Sequence, residues 1–318
     1  MRMRFSGTVF RVLFGGVLWG VLCLFPLGTG ILNEIARVLL FVMLVLLPLG
    51  IPLVEPNEAA QSNMYKTARF LHPVAGLIAG ASFLFPPGVI AGTLAIAWLP
   101  FCGFLTWHGV ERLRRRGVRA SLKTLDEFCI DAALIYLPVG AIWLWASRMG
   151  IRLMGFEEPI VLLTAIHFHF AGFAAPLLAG LAGRHLRQAG RMGYFFVAAG
   201  VIILGPALVA LGITLSRAVE VVSAVLLAAG YLGLAGLVLV RVLRAVPGIT
   251  ARILLALSAL SVVVTMFAAT GFAYGNFSGA FTITIPTMVN VHGWTNALGF
   301  VGCGFLGWTI NQRARGPR

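Results

Sequence analysis

Ten apolar runs, each about 20 residues long, constrain this chain more than any other feature of its sequence. They fall at roughly 8–29, 31–54, 66–86, 88–108, 127–147, 159–183, 193–215, 219–243, 250–275 and 286–310. An apolar helix of about 20 residues matches the hydrocarbon thickness of a bilayer. No water is available there for backbone N–H and C=O groups, so a spanning segment must be a helix or a strand of a closed barrel. The runs are continuous rather than alternating, which argues against a barrel. The expected fold class is all-α: a polytopic transmembrane helix bundle of about ten spanning helices, with residues 1–318 as a single transmembrane helical domain.

Composition agrees. The 318 residues are 59% hydrophobic and 11% charged, with a mean hydropathy of +0.96, against about 45–50% and about 25% in soluble domains. The lipid bilayer is therefore the first expected partner.

Charge carries a second message. The 24 basic residues against 10 acidic ones give a net +14, and all the basic ones but Lys66 and Lys123 are arginine. In a soluble protein this would point to nucleic acid. Here the arginines gather between spans, at Arg2/Arg4/Arg11, Arg112/Arg114/Arg115/Arg116/Arg119 with Lys123, Arg184/Arg187/Arg191, Arg241/Arg244/Arg252 and Arg313/Arg315/Arg318. With ten helices, all five clusters fall on one side, the cytoplasmic one, and both termini lie there. The uncharged stretch 276–285 falls outside. Nucleic acid is not an expected partner. The start, Met1-Arg2-Met3-Arg4, mimics a signal peptide, but no small-x-small cleavage site follows, so a retained first helix is expected.

Cys23, Cys102, Cys129 and Cys303 sit inside or at the edge of apolar segments without metal-ligand spacing, and read as small core hydrophobes. Prolines at 26, 48, 52, 100, 138, 176 and 206 lie within or near spans and can kink them.

Ionisable and polar groups within hydrocarbon are costly, so each is a functional candidate. At 1.5 Å per residue, His167 lies about 13 Å below the outer boundary, His292 about 10 Å, and Glu34 and Arg37 roughly 5–9 Å. These groups can share one layer in the outer half of the membrane. Glu127 and Asp131 enter from the cytoplasmic side on one helix face and could handle protons, or could simply complement the helix dipole. Residues two apart point about 200° away from each other, so His167 and His169 cannot both face one guest on a regular helix. His292, Thr295 and Asn296 do share a face, as do Thr164 and His167. Neutral imidazoles from His167, His169 and His292 could hold a divalent transition metal such as Zn or Fe, though the residues fix no cofactor. Alternatively, each histidine bonds a neighbouring helix carbonyl or hydroxyl. Glu34 and Arg37 could equally be an interfacial i,i+3 ion pair. His72, His108 and His185 lie beside basic loops and are expected at the interface. No hydrolytic signature such as GxSxG or HExxH is present, and the absence of a P-loop argues against an ATP-driven pump in this chain alone.

The segment Leu163-Thr-Ala-Ile-His167-Phe-His169-Phe-Ala-Gly-Phe173, with His292-Gly293-x-x-Asn296-Ala-Leu-Gly-Phe300, resembles the YndJ-like family of bacterial membrane proteins. The resemblance extends more loosely to Asn33-Glu34-x-x-Arg37 and to Tyr136-Leu-Pro-Val-Gly-Ala-Ile-Trp143. It implies that His167, His169, His292 and Asn296 occupy the positions that define the family pattern. It also implies a bacterial cytoplasmic membrane, and a transporter only in the sense that some members carry that label.

Three functions stay open. One is a transporter-like protein whose site of Glu34, Arg37, His167, His169, His292 and Asn296 takes a small polar or ionic solute. Glu127 and Asp131 would then form a proton path. The second is a membrane-embedded metal-dependent enzyme acting on a lipid-like substrate. The third is a structural or assembly subunit with the histidines as interhelical glue.

Overall fold

The computed structural model describes residues 3–55, 57–190 and 192–314, and the side chains of all of these except 3–6 and 58. Arg2, Arg191, Arg315 and Arg318 of the basic clusters lie outside the described residues, as does the side chain of Arg4. Among the described residues there is no strand.

Ten long helices and one short one follow each other: α1 Met3–Leu22, α2 Ile31–Val54, α3 Asn63–Ala81, α4 Val89–Arg116, α5 Val118–Lys123, α6 Leu125–Met149, α7 Ile160–Gln188, α8 Phe195–Leu215, α9 Arg217–Ala245, α10 Ile249–Ser278 and α11, residues 285–314. The long ones coincide with the ten apolar runs. The span count nevertheless needs correction: among the described residues seven helices, not ten, are long and apolar enough to cross a bilayer, namely α2, α4 and α6–α10. The apolar part of α1, Gly7–Leu22, is short. Lys66, Arg69 and His72 dilute α3, and Asn290, His292, Thr295 and Asn296 dilute α11. The helices that fall short therefore include those carrying much of the candidate polar chemistry.

Large apolar side chains face outward along the helices, for instance Leu13, Val17, Phe70, Val89 and Phe267, each more than 60% exposed. Water would penalise such a surface, and lipid would not. The chain is an all-α integral membrane protein.

Backbone contacts divide it into two compact units. The first comprises Met1–Arg115 and Ala133–Ala174, the second Arg116–Ala132 and Ala175–Arg318. In the first, α1 packs on α2 and α3, and α2 packs on the opening turns of α7. Its α3–α4 turn is held by the buried Arg148, whose guanidinium donates to the carbonyls of Ser82 (3.2 Å) and Phe85 (2.6 Å) and stacks on Phe83. Those carbonyls lie where a helix end has no partner of its own. In the second unit, α8, α9, α10 and α11 pack in sequence as neighbours.

Four long helices contain π-wound stretches: Val42–Leu46 in α2, Phe168–Ala174 in α7, Val238–Val242 in α9, and Val289–Gly293 with Thr295–Cys303 in α11. The first two stand just before Pro48 and Pro176. A proline withholds the N–H that its i−4 carbonyl would receive, and the ladder upstream slips to i−5.

Candidate functional site

In the first unit, α7 carries His167 and His169 at the entrance to its π stretch, and their fates differ. His167 is exposed and donates from Nδ1 to its own-helix Leu163 carbonyl at 2.7 Å, leaving its Nε2 without a partner among the described residues. His169 is fully buried. Its Nδ1 donates to the Ala165 carbonyl at 2.7 Å, and its Nε2 accepts from the indole N–H of Trp98 at 3.0 Å. Both nitrogens are thereby committed, and the tautomer is set: no lone pair is left for a metal. The opposite facing of the two rings is what a two-residue separation demands.

Gly140 of α6 makes room for the His169 ring. A Cβ there would stand 2.7 Å from its Nδ1, and one at Gly172 would stand 2.9 Å from Tyr136 Cβ. The Tyr136–Trp143 stretch and the His167–Phe173 stretch are therefore two sides of one close helix contact.

Glu34 and Arg37 of α2 pair with each other at 2.6 Å, half-buried. Arg37 also reaches the Cys23 carbonyl at 3.4 Å, its own carbonyl accepts from the Trp19 indole at 2.9 Å, and Asn33 Oδ1 accepts from the Leu27 N–H at 2.9 Å. The group binds the α1–α2 turn to α2.

In the second unit, α10 and α11 build a polar cluster. His292 Nδ1 donates to the Thr265 carbonyl at 2.9 Å, and the Thr265 hydroxyl donates to Asn296 Oδ1 at 2.9 Å, with the Val262 carbonyl at 3.1 Å as its other acceptor. Thr265 is wholly buried, while His292 and Asn296 are half-buried. The Asn296 amide nitrogen has no partner among the described residues. Thr265 was invisible to sequence reasoning, since nothing marks one threonine in a 30-residue apolar helix.

The second unit also holds the acidic start of α6. Glu127 takes both oxygens of a bidentate pair with Arg184 (2.7 and 2.8 Å), and Arg187 adds a bond at 3.2 Å. Arg187 also binds Asp126 at 2.7 Å, and Arg116 pairs with the fully buried Asp131. Gly180 and Gly183 let α7 approach: a Cβ at either would stand 2.6 Å from Asp126 atoms. Asp126 is as buried as Asp131.

The three histidines placed at the interface are all buried: His72 is 2% exposed, His108 1% and His185 7%. They sit among aromatic rings, His72 against Trp98 and Phe101, His108 against Tyr65, and His185 against Trp308. All four cysteines are free. Among the described residues, no three His, Cys, Asp or Glu side chains gather closely enough to hold a metal ion.

The family model described as YndJ-like protein matches residues 37–300. That span takes in Arg37, His167, His169, His292 and Asn296, and leaves Glu34 outside. The chain is 33% identical over 222 residues to the uncharacterized membrane protein YndJ of Bacillus subtilis (strain 168). The alignment covers 70% of this chain and 39% of that protein, so the chain spans about two fifths of the relative's length. No solved structure matches the chain.

Proposed function

The chain belongs to the YndJ-like family of membrane proteins, and from that premise we propose that it is a transporter-like protein acting on a small polar or ionic solute. The observation that carries this reading is the Thr265–His292–Asn296 cluster on α10 and π-wound α11. A cluster serving cohesion alone gains most by sealing every donor, because an unpaired amide in a low-dielectric setting is costly. Here Asn296 stays half-buried with its amide N–H groups unspent, and is available to a guest. His292 and Asn296 are the solute contacts in this reading, and Thr265 positions both. In the first unit, His167 presents its Nε2 outward and is the corresponding candidate, with Glu34 and Arg37 on neighbouring α2. His169 supports α7 instead, through Trp98. A proton path through Glu127 and Asp131 would require each carboxylate to leave an arginine first.

Uptake into proteoliposomes tests the reading. For the transported solute, His292→Ala and Asn296→Ala are expected to lower uptake by about tenfold each, the equivalent of one hydrogen bond to a charged partner. Uptake that both variants leave intact, for every solute that moves, would discard it.

One observation favours a structural role as a second reading: His167, His169 and His292 each already donate to a backbone carbonyl. An assembly subunit would lose thermal stability in the His292→Ala variant while its cellular phenotype stayed unchanged.

A further inference from the structure

The ends of α1, α2 and α3 enclose a pocket in the first unit, lined by Thr8, Arg11, Pro48, Ile51, Arg69 and His72. We propose that it is a binding site for a phosphate-type anion that also carries a hydroxyl group.

Two independent observations meet there. His72 is buried, and its Nε2 lies 2.9 Å from the Met43 carbonyl, an atom that can only accept. Nε2 therefore holds the proton, and Nδ1 is left as a bare acceptor. That Nδ1 is buried and has no partner among the described residues, on a ring that forms part of the pocket wall. A buried acceptor of this kind calls for a donor from outside the chain.

The second observation is charge. Arg11 and Arg69 line the same pocket, both half-buried, and lie within electrostatic reach of each other. Among the described residues neither has a carboxylate partner. Arg69 rests over the Tyr65 ring at 5.8 Å, and Glu55, at the end of α2, is taken by Arg112. Two guanidiniums held together with no acid beside them among the described residues repel one another, and an oxyanion bridging them reverses the sign of that interaction.

Size divides the guest in two. The cavity has about 10 Å³ of room, enough for one water-sized group but not for a phosphate. The hydroxyl enters and donates to His72 Nδ1, while the anionic oxygens stay at the mouth with the arginines. Hydrogen phosphate has both parts, and so does a phosphatidylglycerol headgroup, whose glycerol supplies the hydroxyl. The pocket is built within three turns of the helix ends.

The test uses the full chain with two probes. Inorganic phosphate is titrated into delipidated protein in detergent at fixed ionic strength, and retention of phosphatidylglycerol is counted by native mass spectrometry from nanodiscs of phosphatidylcholine with phosphatidylglycerol. Binding of the first probe identifies a free phosphate site, and of the second a headgroup site. In either case Arg11→Gln/Arg69→Gln should weaken binding by about tenfold or more, the worth of one charge-assisted bond. Arg114→Gln, at an exposed arginine elsewhere, should leave it unchanged. Both arginines are half-buried, so the variants remain foldable, and unchanged thermal unfolding without ligand verifies this. The proposal falls if neither probe binds, if the double variant binds as well as the parent, or if Arg114→Gln weakens binding equally.

Discussion

At the scale of single residues, the polar groups of this protein sort by how completely they are satisfied. His169 spends both nitrogens, one on Ala165 and one on Trp98. Trp98→Phe removes the donor yet leaves the buried acceptor, so the expected loss is about 1–3 kcal/mol of stability. Thermal unfolding in detergent measures it, and a variant as stable as the parent would show that the bond contributes nothing. Asn296 is the contrasting case, with donors left over. Asn296→Ala should therefore cost little stability, roughly 1 kcal/mol or less, while affecting solute uptake. A large stability loss would move this residue to the structural side.

At the scale of elements, close approach of helix backbones and π winding set the local geometry. Gly140 stands against the His169 ring, so Gly140→Leu forces the ring or the helix aside, at an expected cost of about 1–3 kcal/mol or more. Chemical denaturation of the purified variant would show it, and an unchanged midpoint would mean the contact yields freely. Arg148 acts on a turn rather than a helix. Its guanidinium satisfies the Ser82 and Phe85 carbonyls, so Arg148→Met is expected to loosen the α3–α4 turn. Faster hydrogen exchange confined to residues 82–88 is the readout. Exchange unchanged there would dismiss the capping role.

At the scale of the whole molecule, the arginine clusters make an orientation prediction. In a cysteine-free background, Ala189→Cys and Pro247→Cys should react with an impermeant maleimide only after the cell is opened, and Ala280→Cys should react in intact cells. The reverse pattern would invert the topology. Clusters extend to Arg2, Arg191, Arg315 and Arg318, which lie outside the described residues, yet the loops around 189 and 247 test the rule without them.

The sequence by itself determined the helical class, the positions of the ten long helices and the breaks between them. Hydropathy is local and additive, and the bilayer demands a helix wherever about 20 apolar residues follow one another. It also offered Glu34 with Arg37 as an i,i+3 pair, one of two readings, because their spacing alone can bring them together, and the structure forms that pair. Only the tertiary structure decided which imidazoles are buried, that Trp98 finds His169 across 71 positions, that Thr265 joins His292 to Asn296, and that arginines claim Glu127 and Asp131. Those partners depend on which helix faces meet. Each residue added in a π turn rotates the following face by about 100°, so a reading based on 3.6 residues per turn loses the facing after the first one.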